Sequence, residues 1–194
     1  MKPAFSVCVY CGSRPGYNSV FAHTARAVGR WIGQHQGQLI YGGGNAGLMG
    51  QMAQSALEHG ASVIGIIPKA LLEREWALEG CTELHVVDTM HERKRMMAER
   101  ADAFMALPGG IGTLEEFFEV WTWRQLGYHD KPVGLLNTAN FFDGLIEFMK
   151  FTVEQQFLGE AQMDLIRVGE DPGELLSLIV QDAGLSPRAK IEQI

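Results

Sequence analysis

The pattern of hydrophobic and polar positions predicts strands and helices that alternate along the chain. Short apolar runs typical of buried strands occupy residues 5–10, 38–41, 62–67, 85–87, 103–107, 131–136 and 165–168. Segments with helical periodicity follow most of them, at residues 18–34, 51–59, 90–97, 114–126, 141–157 and 172–180. This alternation predicts a doubly wound α/β fold, in which helices flank a parallel sheet in a single domain.

Four polar or glycine-rich segments come after predicted strands, at residues 11–13, 42–47, 90–94 and 109–116. Sheets of this kind bind ligands at the carboxyl ends of their strands. We therefore expect the four segments to meet at one edge of the sheet. The predicted organisation is one Rossmann-like domain over residues 1–182, followed by a loosely attached tail at residues 183–194.

The glycine loop at residues 108–113 lies between a predicted strand and a predicted helix. Its three glycines allow a sharp turn and bring backbone N–H groups close to a ligand, and the helix N-terminus adds partial positive charge. The sequence therefore predicts that Gly109 to Thr113 bind a phosphate group. Glu116 follows closely and is predicted to act on the molecule that carries the phosphate.

Glu116 also has a purely structural interpretation. With Thr113 as the N-cap, Glu116 stands three residues later and completes a capping box. Arg93 has two interpretations as well, because it belongs either to a solvated basic helix face or to the ligand site. Its position in the first turn of a helix after a strand favours the ligand site, since a guanidinium suits bidentate contact with phosphate or carboxylate.

A second glycine motif, at residues 42–47, fits the spacing G-x-G-x-x-G after a strand. In a dehydrogenase the next strand should end near an acidic residue, but here it ends in Ile66-Ile67-Pro68-Lys69. We therefore do not expect bound NAD. The loop is predicted to admit a mononucleotide or a closely approaching segment of the chain.

The composition is that of a soluble globular protein, with 46% hydrophobic and 20% charged residues among 194. A net charge of -7 disfavours nucleic acid or an anionic membrane as partner. No apolar run is long enough to span a membrane, and the three cysteines are expected to be reduced thiols in the cytoplasm. The histidines lack metal-ligand spacing, so neither a metal nor a cofactor is expected. The apolar helix at 114–126 predicts a homodimer, with a partner subunit covering it.

Four motifs together resemble the LOG (Lonely Guy) family of cytokinin riboside 5'-monophosphate phosphoribohydrolases. They are Cys11-Gly12-Ser13, Tyr41-Gly42-Gly43-Gly44 with Gly47-Leu48-Met49-Gly50, Met90-His91-x-Arg93-Lys94, and Pro108-Gly109-Gly110-x-Gly112-Thr113-x-x-Glu116. The resemblance implies a homodimeric Rossmann-like enzyme that hydrolyses the N-glycosidic bond of an adenine-type nucleoside 5'-monophosphate. It implies that Arg93 and Glu116 are the catalytic pair.

The resemblance also implies a set of substrate-binding residues: Ser13, Glu75, Lys94, Gly109, Gly110, Ile111, Gly112, Thr113, Leu114, Glu115 and Thr122. Residues 14–18 depart from the usual pattern of the family. Family members are often labelled lysine decarboxylases, but no lysine here stands in a setting that suggests a pyridoxal phosphate Schiff base. The alternative function is a nucleotide-binding or carrier protein that uses the same glycine loop without turnover.

Overall fold

The computed structural model describes residues 2–72, 78 and 80–186. The strands in this part of the chain are β1 (Ser6–Tyr10), β2 (Gln38–Tyr41), β3 (Ser62–Pro68), β4 (Glu83–Val87), β5 (Ala103–Ala106), β6 (Val133–Leu136) and β7 (Ile166–Gly169). They form one parallel sheet in the order β4-β3-β2-β1-β5-β6-β7. The predicted doubly wound α/β fold is thereby confirmed.

Helices cover both faces of the sheet. They are α1 (Ser19–Gln34), α2 (Gly47–Glu58), α3 (Met90–Arg100), α4 (Ile111–Gln125), α5 (Asp143–Glu154), α6 (Glu160–Met163) and α7 (Pro172–Asp182), with short 3-10 turns at Lys69–Leu71 and Thr138–Asn140. One apolar cluster packs α1, α2 and α7 on one face of the sheet, and a second cluster packs α3, α4 and α5 on the other. Cys8 and Cys11 belong to different clusters, as expected for strand residues that point to opposite faces.

The sheet changes its direction of winding between β1 and β5. The chain runs outward from β1 through β2 and β3 to β4, and then returns to place β5 on the other side of β1. The segments that follow β1 and β5 are joined by hydrogen bonds, Leu107 N–H to Tyr10 O at 2.9 Å and Gly12 N–H to Pro108 O at 3.1 Å. Such a switch point opens a crevice at the carboxyl ends of the strands, which is where doubly wound sheets bind ligands.

Two helices begin earlier than the sequence pattern indicates. α4 begins at Ile111, with Gly110 as its N-cap, whereas the pattern places its start at residue 114. The first turn carries no apolar periodicity because Ile111 is 88% exposed. α2 begins at Gly47 instead of residue 51, so that glycines interpreted as loop residues lie inside the helix. Glu75 and most of the predicted tail, residues 187–194, lie outside the described residues.

Candidate active site

A cleft of about 570 Å³ opens at the switch point of the sheet. It is lined by the loop after β1, the start of α2, the start of α3, and the glycine loop with the first turns of α4, together with Phe21, Leu71 and Phe141. Of the four predicted strand-end segments, those at residues 11–13, 90–94 and 109–116 meet here as expected. The segment at residues 42–47 does not line the cleft, but Gly42 accepts a hydrogen bond from Arg93, which does. The volume lies within the range of ligand sites for small molecules, about 300–1,000 Å³.

The glycine loop lines the cleft along its whole length. A Cβ atom at Gly109 would overlap the side chain of buried Thr113, so that glycine is required by packing. A Cβ atom at Gly110 or Gly112 would have no other atom of the described chain within 4 Å. No side chain caps the N-terminus of α4, and the first N–H groups of a helix have no partner inside the helix. The loop therefore leaves both space and hydrogen-bond donors for an anion.

Glu116 lines the same cleft but does not cap α4. The capping-box interpretation is wrong, because the N-cap is Gly110 and Glu116 lies well beyond the first turn of the helix. A true capping box occurs at the start of α3, where Glu92 N–H donates to Thr89 Oγ1 at 3.1 Å. That cap fixes the first turn of α3, which carries Arg93 into the cleft.

Arg93 is buried, with only 5% of the residue exposed, although arginine is rarely buried without partners. Its Nη2 donates a hydrogen bond to the carbonyl oxygen of Gly42, at 3.1 Å. A Cβ atom at Gly42 would overlap this guanidinium group, so the glycine at the end of β2 makes room for the arginine. The arginine thus brings a permanent positive charge to the wall of the cleft.

The thiol of Cys8, on β1, is influenced by both charged residues. Burial raises the pKa of Cys8 far above its ordinary value, the charge of Glu116 raises it further, and the charge of Arg93 lowers it. Arg93 and Glu116 also line the same cleft, so the fold brings the two residues implied as the catalytic pair to one site, although they come from α3 and α4.

Lys94 is held away from the cleft by two carboxylates of α4. Its Nζ lies 2.6 Å from Glu115 Oε1 and 2.9 Å from Glu119 Oε1. Partial burial lowers the pKa of Lys94, but the two hydrogen bonds outweigh this effect and the pKa is raised above 10.5. Of the substrate-binding residues that the resemblance implies, Ser13, Glu115 and Gly109 to Thr113 line the cleft. Lys94, Leu114 and Thr122 are described in the structure but do not line it.

Several residues line the cleft that the sequence pattern did not assign to it: Arg14, Phe21, Met49, Leu71 and Phe141. Met90 belongs to the predicted segment at residues 90–94 and lines the cleft as expected. The rings of Phe21 and Phe141 are in edge contact, with centroids 5.6 Å apart. No local pattern marks this pair, because the two residues belong to distant elements.

The second glycine motif serves close approach of the chain to itself. Gly43 and Gly47 adopt positive φ angles of 79° and 58°, which disfavour residues with a Cβ atom. A Cβ atom at Gly47 would overlap the backbone at Ser13 and Arg14. Next to it, Leu48 N–H donates to Gly12 O at 3.0 Å, so the motif joins the start of α2 to the first loop.

The described residues include no group of three or more His, Cys, Asp or Glu side chains arranged to hold a metal ion. Over residues 2–72, 78 and 80–186, no helix has both the length and the apolar character needed to cross a membrane. All three cysteines are unpaired thiols.

Solved structures with this fold include the Moco carrier protein of Chlamydomonas reinhardtii. It superposes with a TM-score of 0.70 and 22% identity over 95% of this chain and 99% of that chain. The molybdenum cofactor binding protein of Rippkaea orientalis gives a TM-score of 0.70 and 22% identity over 93% of this chain and 97% of that chain. At this level of identity the likeness extends to the fold alone.

A family model described as "possible lysine decarboxylase" matches residues 49–179. A probable cytokinin riboside 5'-monophosphate phosphoribohydrolase of Oryza sativa subsp. japonica is 42% identical over 93% of this chain and 79% of that protein. The cytokinin riboside 5'-monophosphate phosphoribohydrolase of Rhodococcoides fascians is 44% identical over 86% of this chain and 84% of that protein. An Arabidopsis thaliana enzyme of the same description is 44% identical over 91% of this chain and 82% of its own length. With these identities and the matching family model, the chain belongs to the LOG family, the family of the cytokinin riboside 5'-monophosphate phosphoribohydrolases.

Proposed function

We propose that this protein hydrolyses the N-glycosidic bond of adenine-type nucleoside 5'-monophosphates, including cytokinin riboside monophosphates. The products are the free base and ribose 5-phosphate. The observation that carries the proposal is that Arg93 and Glu116, from separate helices, line the same cleft as the glycine loop. The activity named for the relatives, which are similar over most of the chain, supports the same reaction.

The phosphate group binds at the N-terminus of α4. The N–H groups of Ile111, Gly112 and Thr113 belong to the first turn, where no intrahelical acceptor exists. Arg14 lines this part of the cleft and is exposed, so it supplies a positive charge for a dianionic phosphate. Glu115 also lines the cleft, but its ion pair with Lys94 offsets its negative charge.

Cleavage of the ribosyl C–N bond develops positive charge on the sugar ring. The carboxylate of Glu116 stabilises this charge in the transition state more than in the ground state, and it orients the attacking water. The water oxygen bonds to C1' of ribose and the water gives up one proton, while the C–N electron pair leaves with the base and the base takes up one proton, so the step is balanced. Arg93 adds a permanent positive charge to the same cleft, which attracts the anionic substrate and the carboxylate of Glu116.

The base binds against the apolar part of the cleft. Met49, Leu71 and Met90 line this part and offer flexible apolar surface for a purine ring or an apolar substituent on it. Glu75, Leu114 and Thr122 are assigned to the nucleotide site by resemblance alone.

The test is incubation of the purified protein with AMP, with N6-isopentenyladenosine 5'-monophosphate and with adenosine, while free base and ribose 5-phosphate are measured. We expect both monophosphates to release base and ribose 5-phosphate in equal amounts. Adenosine should react much more slowly, because the energy of phosphate binding contributes to catalysis at the sugar. Absence of base release from both monophosphates, above that of heat-treated protein, would contradict the proposal.

The alternative of a nucleotide-binding or carrier protein explains fewer of the residues. A carrier needs the glycine loop, but it has no evident need for a carboxylate and a buried guanidinium beside it. The helix-capping explanation for Glu116 is wrong because Gly110 occupies the N-cap, so capping does not account for this carboxylate. The two functions differ in one observable, which is the release of base.

We further propose that the protein acts as a homodimer in the cytoplasm. In the helix at 114–126, which the sequence pattern assigned to the partner, Phe117, Val120 and Trp121 are already buried within the single chain. The large exposed aromatic side chains lie instead along and just after α5: Phe148, Phe151 and Phe157. Exposed apolar patches of this kind mark interaction surfaces. The three reduced thiols fit a reducing compartment.

A further inference from the structure

Lys94 forms a partly buried ion cluster between α3 and α4. The Lys94 side chain is 12% exposed, and those of its partners Glu115 and Glu119 are 49% and 23% exposed. Glu115 and Glu119 are four residues apart on α4, so they lie on the same face of that helix. One ammonium group thus bridges two successive turns of α4 from the first turns of α3. The pair with Glu119 is the more shielded of the two, and partly buried ion pairs are screened less by solvent than exposed ones.

This cluster is adjacent in sequence to both residues assigned to catalysis. Lys94 directly follows Arg93, and Glu115 directly precedes Glu116. Lys94 and Glu119 do not line the cleft in the described chain, whereas Arg93 and Glu116 do. The ion cluster therefore ties together the two helices that carry the catalytic side chains, at the level of those side chains, and of its three members in the described chain Glu115 alone lines the cleft.

We infer that Lys94 and Glu119 are positioning residues, which hold α4 against α3 so that Glu116 and Arg93 keep their separation in the cleft. The inference rests on the proposed function and assigns Lys94 a role other than nucleotide binding. Misplacement of a catalytic group by about 1 Å can lower a rate by about 10²-fold. Loss of the bridge should therefore lower kcat while leaving KM almost unchanged, because the glycine loop still binds the phosphate.

Glu119→Gln is the most informative variant, since Glu119 touches Lys94 but not the cleft. We expect it to lower kcat about 5- to 20-fold and to leave KM within about twofold, as expected when a catalytic group is misplaced. Lys94→Arg should retain most of the activity because it keeps a cation between the two carboxylates. The double variant Lys94→Gln with Glu119→Gln should be no slower than Lys94→Gln alone, since both changes remove one interaction.

Glu99→Gln is the matched control, because it converts a carboxylate to an amide in an exposed ion pair of the same helix α3, with Arg95. It should leave kcat and KM unchanged. Thermal unfolding of every variant shows whether a loss of rate follows from a loss of fold. If Lys94 instead binds the nucleotide directly, Lys94→Gln will raise KM about tenfold or more while Glu119→Gln leaves kcat unchanged. That result overturns the inference, whereas an inactive wild-type protein contradicts the proposed function itself.

Discussion

Arg93 and Gly42 form a hydrogen bond that joins α3 to the end of β2, from Nη2 to the carbonyl oxygen at 3.1 Å, across 51 positions of sequence. The glycine is needed here for the space it leaves beside the guanidinium, and its carbonyl oxygen orients the group. The glycine motif after β2 therefore contributes to the active site by positioning Arg93. It fixes the position of the positive charge in the cleft.

Gly42→Ala tests this relationship. The added methyl group would overlap the end of the Arg93 side chain, which is flexible enough to move without unfolding the protein. We expect kcat/KM to fall about 10²-fold, as for other misplaced catalytic groups, with little change in the thermal unfolding midpoint. Gly80→Ala is the control, because a Cβ atom there makes only an ordinary contact of 3.9 Å with Leu57. Full activity of Gly42→Ala would show that the position of Arg93 does not matter.

Gly112→Ala tests whether the space beside Gly112 is needed for the ligand or for packing of the protein. A Cβ atom at Gly112 meets no other atom of the described chain within 4 Å, and alanine is the better helix former. We expect unchanged or slightly higher stability, by up to about 1 kcal/mol, together with a KM for nucleotide raised about tenfold or more because the methyl group occupies phosphate space.

Gly144→Ala is the matched control for this substitution, since Gly144 is the second residue of α5 as Gly112 is the second residue of α4, and its Cβ atom would also meet nothing. Its KM should equal that of the wild type. An unchanged KM in Gly112→Ala would place the phosphate elsewhere in the cleft. The measurements are steady-state kinetics and thermal unfolding of the three proteins.

His129 should make stability depend on pH. Burial lowers its pKa below 6.5, and the charges of Lys131 and Arg124 lower it further. In addition, Lys131 N–H donates to His129 Nδ1 at 3.1 Å, which requires that nitrogen to be unprotonated. His129 therefore binds a proton more readily in the unfolded chain than in the folded one. Its contribution to stability is fully present above pH 6.5 and is lost as the pH falls below that value.

Thermal unfolding at several pH values between about 5 and 8, where histidine titrates, measures this effect. The wild-type midpoint should fall toward the acidic end, and His129→Gln should weaken that dependence. His23→Gln, at an exposed position of α1, should retain the wild-type dependence. Equal pH dependence in all three proteins would contradict a role for His129.

The order of strands and helices was predictable from the sequence, because the side chains that fill both core clusters form apolar runs in the strands and helical repeats in the helices. The start of α4 was not predictable in this way. Its first turn presents Ile111 to solvent, so no apolar repeat marks it, and Thr113 with Glu116 has the spacing of a capping box. Glycine is itself an acceptable N-cap residue, and Gly110 takes that position.

The site was predictable in part for the same physical reasons. The convergence of the strand-end segments follows from the topology of a parallel sheet, so Arg93 and Glu116 could be expected to meet. The pairing of Lys94 with Glu115 and Glu119 depends on how α3 packs beside α4, which no local pattern encodes. The contact between Phe21 and Phe141 could not be predicted for the same reason, since it joins α1 to the segment after β6.

The measurement that tests the central claim most directly compares Glu116→Gln with the wild type in two assays of the same nucleoside 5'-monophosphate. One assay follows base release and the other measures nucleotide binding by calorimetry, with Glu147→Gln, an exposed carboxylate of α5, as control. We predict that Glu116→Gln binds the nucleotide within about threefold of the wild type and releases base about 10²–10³-fold more slowly. A wild-type protein that binds the nucleotide without releasing base, or a Glu116→Gln variant as fast as the wild type, would contradict the account.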